Sequence, residues 1–485
     1  MKNIKLFTLG IAGLLALGSC NDFGDINVDP NNPSIPETRF LFTDACLNVH
    51  TFSLNGTYNP WTQMFPQYIA ERQNVQYGLF AMQDFGTGSY YYEYLQNLKM
   101  IIDLNSDEAT AGSLNVNQMG SSENQIAAAR TLSAYYYMHM TDILGMIPYT
   151  EALKGTEGNF APKYDSQESI YADLDKELTE AYAQFDENAT LNSTYDILYN
   201  GDIAKWKKMN ASLRMMMAIK LSDVDPATGK ERFVRAYADG GIVDNEDCLE
   251  RKFLPEVANQ NPMYDNVIIS GRKDFAPSEL IINKLKEYND PRLSAYATPN
   301  SEGEYIGIPL GIYQADVLNY KDISAFDPRF YQQDAPMVVI SASHILLIEA
   351  EAAVRGWIGG SAEDFYKKGI KASMDFYGVD GFDTYYAQES VKLSGSADQQ
   401  IEKIGMQRWF ANYMQNGVEA WSDWRRLNVP KMYPGPASIE KHIPYRRIYN
   451  TDDYKTNVEN YNAAIAAQGE DSFETRVWWD VKDND

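Results

Sequence analysis

The stretch from Glu123 to Leu144 places Ala129, Leu132, Tyr136, Met140 and Ile143 at spacings of three and four, the period of a helix. Tyr135, Tyr136 and Tyr137 stand consecutively inside it. Three successive residues sweep about 200° of a helix surface, so one core face cannot take them all. A helix with this run needs neighbours on two sides, which predicts a layered, mostly α protein. Gly145 with Pro148 beyond it predicts the stop.

Further helical patterns follow. One opens at Asp165, with Glu168 three residues on as a capping-box variant, and carries Ile170, Leu174, Leu178, Ala181 and Phe185. Another spans Ile203 to Leu221 and is rich in methionine. Helices resume over Ser343 to Trp357, then behind the cap Ser361-x-x-Asp364, then over Asp398 to Asn416 and Glu419 to Leu427. These read as helical hairpins, tetratricopeptide-like only locally, because the strict repeat consensus is missing. Between them, over about 222–340, helical periodicity fades apart from Ser278 to Tyr288. Gly, Pro and Asn punctuate short apolar runs such as Val267 to Ile269 there, which predicts irregular loops with a few short strands.

The N-terminus predicts export. Lys2 and Lys5 precede an uncharged apolar run, Leu6 to Leu17, too short for a spanning helix, which needs about 20 residues. It ends at Leu17-Gly18-Ser19-Cys20, the pattern of a lipoprotein signal, in which Cys20 becomes the lipidated first residue. The plainer alternative is a secreted chain with a chance cysteine. The division expected is a signal over 1–19, a lipidated tether over 20–37 rich in Asn, Asp and Pro, and one α-helical domain over 38–485. Asp25-x-Asn27-x-Asp29 is not a calcium loop, since Pro30 and Pro36 fall where Gly and Glu are required.

Loss of Lys2 and Lys5 with the signal leaves 40 basic and 67 acidic residues, a net charge of −27. That balance repels nucleic acid and anionic lipid headgroups, and suits a neutral ligand or a cationic partner patch. Cys46 and Cys248 are expected as two buried thiols, with a single disulfide as the alternative; His50, His139, His344 and His442 are too scattered for a structural metal site. No metal or cofactor is implied. Catalytic signatures of the G-x-S-x-G or H-E-x-x-H kind are missing as well.

Several segments together resemble the SusD/RagB family of outer-membrane nutrient-binding lipoproteins. They are the tether from Asp25 to Pro33, the turn from Asp142 to Ala152, the helix Ile348 to Ala353, and Gln407 to Tyr413 leading into Gly417 to Arg426 and Pro430. The C-terminal Arg446 to Tyr449 and Trp478 to Asp480 complete the match. The resemblance implies tetratricopeptide-like helix pairs in a right-handed superhelical array with a large irregular insertion. It also implies a partner barrel of the SusC type, placement at the outer membrane facing outward, and capture of a polymeric nutrient without turnover. A glycan is the first expectation and a peptide, as in RagB-like proteins, the second. An exported glycoside hydrolase and a repeat scaffold without a small ligand are the rivals from other classes.

Glycan capture asks for aromatic faces beside hydrogen-bonding groups on loops held by a rigid scaffold. Trp61 and Tyr77 lie on one loop-like region; Tyr264, Arg272, Tyr320, Arg329 and Tyr331 lie in the insertion. At least two of the five aromatics are expected in one shallow cleft. Arg272 and Arg329 would anchor a charged ligand. The Trp421 and Trp424 pair, by contrast, is expected in the core, with Arg425 and Arg426 paired to acids.

Overall fold

A computed structural model describes residues 35–53, 61–81 and 84–482. The signal, Cys20 and nearly all of the tether lie outside the described residues.

The fold is mostly helical, and its helices pack in sequential pairs. Ser122–Leu144 pairs with Gln167–Gln184, Ile203–Lys220 with Pro226–Asp239, and Ala342–Val354 with Ala362–Phe376; Ala397–Ala411 and Gly417–Leu427 make a further contact pair. Gln167–Gln184 also meets Ile203–Lys220, which meets Ala342–Val354, so the pairs stack one on the next. Serine caps recur at the starts. Ser121, Ser166, Ser278, Ser341, Ser361 and Ser396 each accept a hydrogen bond from the backbone N–H three residues on, answering one of the donors every helix start leaves open.

The triple tyrosine behaves as its spacing demands. Tyr135, Tyr136 and Tyr137 are all buried. The Tyr135 hydroxyl donates to Val49 O and that of Tyr136 to Ala45 O, on one side, while the Tyr137 ring meets Tyr149 edge-on at 4.7 Å. The helix ends at Gly145, whose φ of 78° suits glycine.

Three expectations change. Asp165 does not open a helix: it pairs in a short antiparallel ladder with Ile147, and Ser166 is the cap. The Val267–Ile269 run lies in a helical turn, Asp265–Ile269, with Ile268 and Ile269 exposed. The region after Ser222 also holds a full helix, Pro226–Asp239. Its apolar stripe is narrow, with Gly229, Phe233 and Ala236 buried, and Gly229 lets it close on its partner. A Cβ there would stand 2.9 Å from Ala218 O and 3.0 Å from the Trp357 ring. Cys46 and Cys248 are buried free thiols, and burial pushes the Cys248 thiol up to about 12.

Among the described residues no helix is long and apolar enough to cross a membrane.

Candidate ligand-binding site

A short antiparallel ladder builds the site. Ile69–Glu71 pairs with Phe275–Pro277, matching Ile69 to Pro277, Ala70 to Ala276 and Glu71 to Phe275. Ala70 and Ala276 are fully buried, so the ladder is pinned to the core. The ladder continues by one bond, Arg72 N–H to Asp274 O at 2.6 Å. At this same end the buried Glu71 carboxylate accepts from Tyr77 N–H at 3.0 Å and Gly78 N–H at 2.9 Å, fixing the next turn. Burial raises that carboxyl to about 7, against those two backbone donors.

Beyond this ladder lies a cleft of about 390 Å³, walled by Arg72, Arg272, Lys273, Asp274, Lys321 and Tyr331 over the apolar Met263, Val267, Phe275, Ile323 and Phe326. Buried Asp274 is engaged on both oxygens: its Oδ2 receives Arg272 at 2.5 Å and its Oδ1 receives the Gln73 amide. The Arg272 backbone N–H binds Asn266 O at 3.0 Å, which closes the loop between them. Asn266 also lines the wall, and its buried Oδ1 has no hydrogen-bond partner. Fixed polar groups around an apolar floor are the arrangement by which small-molecule pockets orient a ligand.

The residues singled out from sequence divide. Arg272 and Tyr331 meet in the cleft. Half-buried Tyr264 stands between Met263 and the helical turn whose Asn266 and Val267 line it; half-buried Tyr320 precedes the lining Lys321. Tyr77 is half-buried and outside the lining. Arg329 is committed elsewhere: it binds Asp327 Oδ1 at 2.9 Å and Tyr377 O at 2.7 Å. Trp61 is not on an exposed loop at all. At 2 % exposure it packs edge-on against Trp421 at 6.1 Å, with the Arg447 guanidinium 4.8 Å over its ring. Sequence reasoning missed Arg72, Lys273 and Lys321. The pairing of residues around 70 with those around 275 brings Arg72 to Lys273, and the contact of Phe275–Pro277 with Ala325–Phe326 brings in Lys321.

A second cavity, of about 250 Å³, lies between Tyr91, Tyr92, Phe160, Tyr164 and Tyr449. Its charged lining is acidic, Asp452 and Asp453 without a cation, and burial raises Asp453 to about 6 with help from Asp452 and Asp471.

The Gly417–Leu427 helix is structural, as its pattern predicts. Trp421 and Trp424 are buried; Arg426 binds Glu351 through both amino groups, at 2.5 and 2.7 Å, and Arg408 joins Glu351 at 2.7 Å. Two of the four histidines, His139 and His344, converge on Glu419, their Nε2 atoms 3.5 and 4.0 Å from its two carboxylate oxygens, but among the described residues no group of three or more His, Cys, Asp or Glu is placed to hold a metal ion.

A rigid helical array displaying a loop-built cleft defines a ligand-binding protein of the helical-repeat kind. The SusD-like family described as "Starch-binding associating with outer membrane" matches residues 30–450, and the chain belongs to it. Solved structures agree. A chitin-binding protein is 28% identical with a TM-score of 0.78, covering 92% of this chain and 100% of its own. A SusD homologue from Bacteroides fragilis is 26% identical with a TM-score of 0.77, over 91% of this chain and 99% of its own. A chitin-binding SusD homologue from Flavobacterium johnsoniae, at 23% identity, a TM-score of 0.77 and coverage of 92% and 99%, shares the fold. Comparison with curated proteins gives no match.

Proposed function

We propose that this protein captures a glycan at the outer membrane and passes it on without cleaving it. The observation carrying this reading is the 390 Å³ cleft, where Tyr331, Arg72 and Arg272 converge over an apolar floor on loops anchored by the Ile69–Glu71 ladder. Membership in a family described as starch-binding, and likeness to a chitin-binding protein, support a carbohydrate over a peptide. Lipid on Cys20 would tether the domain, facing outward, through the segment to residue 37, and a SusC-like barrel would receive the ligand.

Titration calorimetry against maltohexaose, chitohexaose and further polysaccharides tests the reading. Saturable binding, unchanged sugar after prolonged incubation, and loss of affinity in Tyr331→Ala are expected. Release of reducing ends would favour the hydrolase; binding of peptides alone would favour the RagB-like alternative. Cys20→Ala should abolish lipid labelling and free the protein from membranes, since a multiply acylated cysteine holds firmly where a single chain does not.

A further inference from the structure

We infer that the cleft beside the Ile69–Glu71 ladder selects glycan chains carrying anionic substituents, carboxylate or sulfate, in preference to neutral chains. The inference rests on the capture reading and specifies its substrate class.

Charge carries it. The whole chain holds 67 acidic against 42 basic residues, so a cluster of cations runs against its composition. Arg72, Arg272, Lys273 and Lys321 nevertheless wall one cleft, with Asp274 the only acidic residue in the lining. Asp274 is already occupied by Arg272 and Gln73. Arg72, Lys273 and Lys321 have no ion-pair partner among the described residues.

Acids on the flanking segments lie outside the cleft lining, each held by another group. Asp322 receives the N–H and hydroxyl of Ser301 at 3.0 and 2.5 Å. Asp327 holds Arg329, and Asp265 receives Gln260 at 3.3 Å. Half-buried Arg72 stands at the end of the ladder, so the backbone fixes where its guanidinium starts. Such a planar donor fork suits a carboxylate or sulfate better than a lone hydroxyl.

The second cavity gives an internal contrast. Its lining pairs five aromatic residues with Asp452 and Asp453 and no cation, so it disfavours the ligand that the cleft attracts. The positive charge of the cleft is therefore not shared by this second cavity. Inside a strongly negative molecule it also screens an approaching anionic chain from the repulsion it meets elsewhere.

The test is calorimetric, with polygalacturonate and chondroitin sulfate as anionic probes, maltohexaose and chitohexaose as neutral ones, and poly-glutamate as an acidic peptide. The expected result is binding of an anionic glycan that weakens about tenfold between 0.05 and 0.5 M NaCl as the charges are screened. Lys273→Ala with Lys321→Ala, both at exposed positions, should weaken it by a further factor of about ten at low salt and leave the melting temperature unchanged. Salt-insensitive binding of a neutral glycan, indifferent to the two lysines, overturns the inference and leaves glycan capture standing. Binding of poly-glutamate alone overturns both the inference and the glycan reading, as does failure of every probe to bind.

Discussion

Lys220 Nζ lies 2.7 Å from Glu419 Oε1, although 199 positions separate the two residues and both are buried. The same ammonium is 2.6 Å from Asp142 Oδ2. Burial alone would lower the Lys220 pKa, and the Asp142 and Glu419 carboxylates more than reverse it. Asp142 in turn receives the Tyr171 hydroxyl at 2.5 Å and the Trp479 indole at 2.8 Å, so five separate segments of the chain meet on one ion cluster.

Lys220→Met removes the only cation among the described residues bound to both carboxylates and strands them in the core. A loss of about 3–5 kcal/mol is expected, the range for breaking a buried pair from one side. Guanidinium denaturation measures it. A loss below about 1 kcal/mol would mean that the cluster behaves like a solvated surface pair.

Trp61 and Trp421 meet edge-on in the core, so Trp61→Ala and Trp421→Ala should each cost about 3–5 kcal/mol. The double variant should cost less than the sum, because the rings touch. Thermal melts with parallel glycan titrations check this. Lost binding with an unchanged melting temperature would return Trp61 to the ligand site.

Tyr331→Ala should weaken glycan binding by about 1–3 kcal/mol, the scale of an aromatic anchor lost from an interface. Arg329→Ala should leave affinity unchanged, since its guanidinium is held by Asp327 and Tyr377 O and lies outside the cleft lining. Equal losses from both would show that the cleft extends past Tyr331.

Glu349 and Glu351, two residues apart on one helix, should pull stability in opposite directions with pH. Burial raises Glu349 to about 7, with Lys368 opposing. Its ionised form therefore costs stability above pH 7, and the cost fades as pH falls from about 7 to 4.5. For Glu351 burial also acts upward, but Arg426, Arg355 and Arg408 prevail and hold the carboxyl low. Its contribution is full above about pH 4.5 and is lost as pH falls below that. Glu349→Gln should raise stability by about 2–3 kcal/mol at pH 8 and make little difference at pH 4.5, as urea denaturation across pH would show. A gain independent of pH would contradict the assignment.

Local chemistry made the helices legible. Ser361, Ser278 and Gly145 mark ends that the structure keeps, because caps and left-handed stops are decided by residues within a turn. Pro226–Asp239 escaped notice because its contact face is mostly a glycine and an alanine beside Phe233, a signal that hydrophobic period alone does not carry. The site was half legible. Arg272 and Tyr331 share the insertion and the cleft, whereas Arg72 enters from the far side of a ladder that no local pattern announces. Trp61 misled for the same reason, since its packing partner Trp421 arrives from the other end of the chain.

The ladder beneath the cleft also sets a timetable. Ser278 Oγ donates to Gln67 O across 211 positions, and Ile69–Glu71 can pair only when Phe275–Pro277 has arrived. Contacts of such long sequence separation form late, after loop-closure entropy has been overcome. A chain emerging N-terminus first thus carries Arg72 for much of its synthesis with no Lys273 or Lys321 opposite it. Helical hairpins can assemble early, but the cleft is completed only near the end of folding, and a nascent or truncated chain stopping short of residue 275 lacks the strand that pairs with Ile69–Glu71.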